Sequence, residues 1–322
     1  MISVKDLTKI YKVHERQGNF IKDVLFRKFK RVEAVREVSF SLERNELVGF
    51  IGPNGAGKTT TLKILSGILY PTSGQVFVDG FTPFEKKPAF LKQIAFVMGQ
   101  RNQLIWDLPT RDSLQLQKTI YEVSDLEYKN NVQELTSLLD CQNLLDKPVK
   151  TLSLGERMKM ELVMGLLYRP RIVFFDEPTI GLDIFSQSAI RDFIKEYQSE
   201  TKSTIILTSH YLEDVKRLAK RLIIINKGSI VYNGSLSNII EQYSLEKHVR
   251  VTLDKTVNET EIRRINVPFM YTHPKITFSI KRGVLPEKIK LITQTLPFSD
   301  LTVEDETIED IIKSFFEEQR NK

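Results

Sequence analysis

Residues 51 to 60, IGPNGAGKTT, place Gly52, four further residues, Gly57, Lys58 and Thr59 directly ahead of an apolar helical pattern. That spacing is the one by which a glycine-rich loop folds its backbone around a chain of phosphates. The segment Gly52, Pro53, Asn54, Gly55, Ala56 and Gly57 would form the cradle, because glycine lets backbone approach phosphate oxygen closely. Lys58 would bridge the outer phosphates, the Thr59 hydroxyl would ligate Mg²⁺, and Thr60 continues the same turn. The helix behind them, with Leu62, Ile64, Leu65 and Ile68 on its buried side, aims the positive end of its dipole at the anion.

Two further stretches carry chemistry. RIVFFDEP is a buried-strand pattern that runs into Asp176 and Glu177. A carboxylate at such a strand end can hold the Mg²⁺ of a bound nucleotide, while its neighbour polarises a water. In TLSLGER, Ser153 and Glu156 have the spacing of a capping box, so a helix start is expected there. Helix starts also bind anions, and Gly155 would let backbone come close.

These residues need elements to position them. Before residue 80, VSFSL alternates with Val38, Phe40 and Leu42 on one face, and GQVFVDG does so with Val76 and Val78, which reads as short strands. From about 85 to 170 the pattern turns helical and lacks clear strands after IAFVM. Strands return at RIVFFDE, STIILTSH, RLIIIN and SIVYNG, with helical stretches between the first three. Such alternation around a phosphate loop predicts a mostly parallel sheet flanked by helices, an α/β core with the helical block inserted. The pattern changes near residue 242, and the remainder reads as a small α+β domain whose last helix carries Ile308, Ile311, Ile312, Phe315 and Phe316 at helical spacing.

Bulk composition sets bounds. At 322 residues, 41% hydrophobic and 27% charged, the chain is long enough for two folded domains and its make-up argues against disorder. A net charge of +6 permits an anionic partner, membrane surface or nucleic acid, without choosing between them. The single cysteine, Cys141, excludes an internal disulfide and fits a reducing compartment. No apolar run approaches the roughly 18 residues that span a bilayer, the start lacks a signal-like core, and no repeat is visible.

Taken together and in order, GPNGAGKT, TLSLGER, IVFFDEPTIGLD and IILTSH resemble the nucleotide-binding subunits of ABC transporters over about residues 1 to 242. The resemblance implies a P-loop ABC ATPase domain at 1–242, with an antiparallel β subdomain and an inserted helical subdomain at about 100–168, and an accessory domain at 243–322. It also implies ATP and Mg²⁺ as ligands and two ATPase subunits, identical or paired with a homologue, closing head to tail. The segment of Ser153 and Gly155 would contact the γ-phosphate of ATP held by the other subunit, and Asp183 would lie at the contact between the two sites. Glu177 would be the general base, and His210 would touch the γ-phosphate and orient water. Mg²⁺ would be held by Thr59, Asp176 and Gln100, the last also sensing an integral membrane permease. Tyr11, in LTKIYKV, would stack on adenine.

The chain departs from the family pattern at Leu154, where a second glycine is usual, and at Glu156, where glutamine is usual. Residues 14 to 31 are longer than the usual hairpin and carry six basic residues against two acidic ones, interleaved with Phe20, Ile21, Val24, Leu25 and Phe29. Such a segment can lie on anionic lipid or a partner, or pack on its own domain. With VMGQ, LSLGERMK and TSHYLED, this insert resembles the branch that serves multidrug or daunorubicin-type exporters. The expectation is therefore an ATP-hydrolysing subunit at the cytoplasmic face of a membrane, with no stable nucleic-acid partner. The alternative is a soluble ABC-type ATPase of translation or DNA repair.

Overall fold

The computed structural model describes residues 2–14, 29–244 and 246–321. The chain divides into two compact units, Met1–Gly234 and Ser235–Lys322. The boundary falls before residue 242 because the helix there, α7 (Leu236–Tyr243), packs on the last helix of the second unit.

The first unit has two sheets. Strands β1 (Ile2–His14), β2 (Phe29–Leu42) and β4 (Ser73–Val78) form an antiparallel sheet in the order β2-β1-β4. At 13 and 14 residues, β1 and β2 are longer than the short strands expected, and they stay paired as far as His14 opposite Phe29. Phe29, Lys30 and Arg31 of the basic segment are therefore strand residues, and residues 15–28 lie outside the described ones. Val38, Phe40, Leu42, Val76 and Val78 are buried, as alternation requires when one face of a sheet is covered.

The second sheet is built from β3 (Leu47–Ile51), β5 (Ile94–Met98), β6 (Ile172–Asp176), β7 (Thr204–Thr208), β8 (Arg221–Asn226) and β9 (Ser229–Ser235), in the order β5-β6-β7-β3-β8-β9. The pairs from β5 to β8 are parallel. Every residue of β6 and β7 is buried, which explains their unbroken apolar runs: both faces of a parallel sheet are covered. The covering helices include α1 (Lys58–Leu65), α4 (Leu154–Leu166), α5 (Ile184–Thr201) and α6 (Leu212–Leu218). Between β5 and α4 run α2 (Thr110–Ile120) and α3 (Asp125–Leu138), the helical block. Ile68, expected to be buried, lies beyond the end of α1 and is exposed. Cys141 is buried in the core, and burial pushes its thiol up to about 12, so it is an inert apolar side chain.

The second unit runs β10 (Glu246–Leu253), α8 (Glu259–Arg263), β11 (Phe269–Thr272), β12 (Lys275–Lys281), α9 (Leu285–Thr295), β13 (Phe298–Asp305) and α10 (Ile308–Asn321). Its sheet order is β11-β12-β10-β13 with every pair antiparallel, the split β-α-β arrangement of a βαββαβ unit. Val249, Val251, Ile276 and Phe278 on one sheet face join Ile262 and Ile292 from the helices in a single core. Ile308, Ile311, Ile312 and Phe315 of α10 are buried and Phe316 is half-buried.

Candidate functional site

The C-terminal ends of β3 and β6 open on one cleft of about 540 Å³, a size suited to a nucleotide. Its wall includes Asn54 to Thr60 from the loop after β3, Gln100 after β5, Asp176 and Glu177 at the end of β6, and His210 after β7. Gly57 caps α1 with φ 109°, and a Cβ there would meet the Ala34 carbonyl oxygen at 2.4 Å. Only glycine fits that approach. The first turn of α1 holds no acidic residue, which leaves its free N–H groups to an anion.

Lys58 is buried among its own loop: Nζ donates to the Gly52 carbonyl at 2.7 Å and the Pro53 carbonyl at 3.2 Å. Gly52 and Pro53 thus orient the lysine rather than line the cleft. Burial lowers the Lys58 pKa, opposed by the charges of Glu177 and Asp176. An ammonium has three donors, and these two carbonyls leave one for a phosphate.

Thr59 Oγ1 donates to Asp176 Oδ1 at 3.0 Å, and Thr208 Oγ1 donates to the same oxygen at 2.8 Å. Thr208, which sequence reasoning missed, also accepts from the Glu177 N–H, on its side-chain oxygen and on its carbonyl, at 3.1 Å each. Glu177 sits at φ 56°, a left-handed conformation uncommon outside glycine that turns its carboxylate out of the strand. There it meets His210, whose Nε2 lies 2.7 Å from Glu177 Oε1. The Gln100 amide reaches the other carboxylate oxygen at 3.5 Å. Gly99 makes room for this: a Cβ there would lie 2.0 Å from the Glu177 carbonyl oxygen.

Other expected residues stand elsewhere. Tyr11 does not line the cleft; its hydroxyl is 3.5 Å from Thr60 Oγ1 and Lys9 Nζ sits 5.4 Å from its ring centre. Ser153 caps α4 in a complete capping box with Glu156, and Asp183 caps α5 by accepting from the N–H groups of Phe185 and Ser186. Neither is in the cleft. The two helix tips instead lie together, since a Cβ on Gly155 would meet Ser186 Oγ at 2.4 Å and Asp183 Oδ2 at 3.8 Å. Around them Leu154, Ile184 and Phe185 are exposed, the last two at 77% and 87%.

Ala34, Lys63 and Arg101 line the cleft without having been singled out in the sequence. Glu161 was missed as well: buried on α4, its Oε1 accepts from the N–H groups of Gln103 and Leu104 at 2.8 and 3.2 Å. It fastens the loop after Gln100 to the helix that starts at Ser153, and burial raises its pKa.

A phosphate loop, a doubled carboxylate and a histidine at the C-terminal edge of a parallel sheet define a P-loop ATPase. A family model described as ABC transporter matches residues 35–180. The ABC transporter ATP-binding protein NatA of Bacillus subtilis is 36% identical over 231 residues, 71% of this chain and 93% of that protein. The Doxorubicin resistance ATP-binding protein DrrA of Mycobacterium tuberculosis is 32% identical across 65% of this chain and 62% of its own length. Among solved structures, the ATP-binding subunit of an ABC transporter superposes with a TM-score of 0.63 at 25% identity, covering 76% of this chain and 93% of that one. A dimeric, post-hydrolysis ATP-binding cassette bound to ADP and Pi shares the fold, with a TM-score of 0.63 at 24% identity over 73% of this chain and 99% of its own. The chain belongs to the ATP-binding proteins of ABC transporters and is an ATPase of that family. The relatives disfavour the soluble translation or repair alternative. Among the described residues no helix is long and apolar enough to cross a membrane.

Proposed function

We propose that this subunit binds MgATP in the cleft, closes on a second ATPase subunit, and uses hydrolysis to drive export through a separate integral membrane permease at the cytoplasmic face. The observation that carries the reading is the meeting of Lys58, Thr59, Asp176, Glu177 and His210 on one cleft. Thr59 Oγ1 and Asp176 Oδ1, 3.0 Å apart, are hard oxygen donors of the kind Mg²⁺ takes alongside phosphates and water. Bound there, Mg²⁺ supplies charge neutralisation at the outer phosphates.

The chain's own groups do the rest. The loop N–H groups and the remaining Lys58 donor hold the phosphates. Glu177 accepts the proton of a water placed in line with the γ-phosphorus, as the bond to the β-phosphate oxygen breaks. His210 holds the Glu177 carboxylate in place through Nε2, 2.7 Å from Oε1, and with nucleotide bound its ring N–H would turn to the γ-phosphate and offset developing charge. Gln100, joined to Glu177 on one side and to the Glu161-anchored loop on the other, is placed to report on a permease. Tyr11 is proposed to stack on adenine at the cleft's edge.

Ser153, Gly155 and Asp183 complete the site of the other subunit. Their own cleft does not include them, which supports a nucleotide shared between two chains. ATP would then favour the closed pair by its greater affinity for it. Export rather than uptake is supported by likeness to DrrA and to the Linearmycin resistance ATP-binding protein LnrL of Bacillus subtilis, 27% identical over 80% of this chain and 88% of that protein. The test is sedimentation of Glu177→Gln in ATP and Mg²⁺, alone and with the membrane subunit recovered by affinity purification. An ATP-dependent pair is expected; a single copy under both conditions overturns the reading.

A further inference from the structure

A second carboxylate, unassigned above, is tied to both loops that carry the catalytic pair. Asp214 lies in the first turn of α6 and is fully buried. Its Oδ1 accepts from Arg191 Nη1 of α5 at 2.6 Å, a one-to-one ion pair closed from solvent. Its Oδ2 accepts two hydroxyls, Thr179 Oγ1 at 2.5 Å and Ser209 Oγ at 2.7 Å. All four residues are buried.

The sequence positions of those hydroxyls matter. Thr179 stands two residues after Glu177, on the segment leading to Asp183. Ser209 immediately precedes His210 and its Oγ also accepts the Tyr211 N–H at 3.0 Å. One carboxylate oxygen therefore fixes the loop after β6 to the loop after β7 just behind the 2.7 Å contact of His210 with Glu177. A buried charge is costly unless paired and fully hydrogen-bonded. Arg191 supplies the pairing, and the hydroxyls supply hydrogen bonds that two apolar side chains of like volume would not. Core packing alone needs neither hydroxyl, whereas a fixed distance between two catalytic loops does.

We propose that Asp214 is a positioning residue: through Thr179 and Ser209 it sets His210 against Glu177, so turnover depends on it while nucleotide affinity does not. This rests on the hydrolytic roles of Glu177 and His210 given above. A displacement of about 1 Å at reacting groups lowers a rate by about 10²-fold, and loss of one of two tethers is expected to give about tenfold. The Lys58 loop makes no hydrogen bond to this cluster among the described residues.

Asp214→Ala strands the Arg191 charge and threatens the fold, so the informative variants are Thr179→Val and Ser209→Ala, which leave the ion pair intact. Phosphate release, ATP titration and thermal melting are measured on each in the full chain. The expected result is kcat down about tenfold in Thr179→Val, with KM and ATP affinity within twofold of wild type, and recovery in Thr179→Ser, which restores the hydroxyl. Full kcat in both variants, a lowered Tm with unchanged kcat, or no recovery in Thr179→Ser overturns the inference. Wild-type turnover, measured alone and with the membrane subunit, is the control: a wild type silent under both conditions refutes the hydrolytic roles given to Glu177 and His210, whereas a failure confined to the variants refutes only this role.

Discussion

The cleft and the paired helix tips at Ser153 and Asp183 are both polar, yet they are finished to different degrees. In the cleft each working side chain already has a partner from the same chain: Lys58 on the Gly52 and Pro53 carbonyls, Thr59 on Asp176, Glu177 on His210. At the helix tips the caps are satisfied, but Leu154, Ile184 and Phe185 stand exposed around them. One region is a set of side chains already held by one another, the other a surface with an exposed apolar rim. That difference is what the proposal of a nucleotide shared between two chains would require, with phosphate binding built into one chain and completion of the site left to a second.

Four measurements sharpen or break that contrast. Glu177→Gln should bind ATP normally and lower turnover about 10²-fold or more, the range of a positioned base; near-normal phosphate release would remove Glu177 from the role. Lys58→Ala should weaken ATP binding about 10- to 100-fold, the size of a lost charge-assisted hydrogen bond, and unchanged affinity in a titration would count against the loop assignment. Phe185→Ser should leave the Tm of the monomer within about 2 °C, since the ring is solvated, yet weaken the ATP-dependent pair of the Glu177→Gln background about tenfold, consistent with burying an aromatic ring. An unchanged dimer constant would place the contact elsewhere. Ser153→Ala gives the smallest effect of the four, about 1 kcal/mol of monomer stability from the lost cap, read by denaturant titration. If that variant loses turnover no more than its stability predicts, the Ser153 tip has no part in the partner's site.

Much of the cleft was legible because its signals are local. Gly57, Lys58 and Thr59 are consecutive, and Asp176 and Glu177 end one buried run, so each group was legible from its own spacing, while the 3.0 Å contact of Thr59 with Asp176, 117 residues apart, came from the fold. The capping box at Ser153 was legible for the same reason. Partners brought by other strands were not. Thr208 beneath Asp176, the Ala34 carbonyl against Gly57, and the Thr179 hydroxyl on Asp214 come from sequence positions 32, 23 and 35 residues away. Ile68 was misjudged because helical periodicity was carried past the end of α1 at Leu65. Tyr11 was expected at adenine on the family resemblance; its hydroxyl lies 3.5 Å from Thr60 Oγ1, and it does not line the cleft.

The sequence by itself determined that a glycine-rich loop would run from Gly52 to Thr60 into a helix and that a parallel sheet would carry it, because backbone conformation and strand burial are written in neighbouring residues. Tertiary structure alone decided that Glu177 would turn to His210, that Gly155 would lie against Ser186, and that a buried aspartate would hold two loops at once. Such contacts depend on which strands become neighbours, and that is set by closing the whole core rather than by any local pattern.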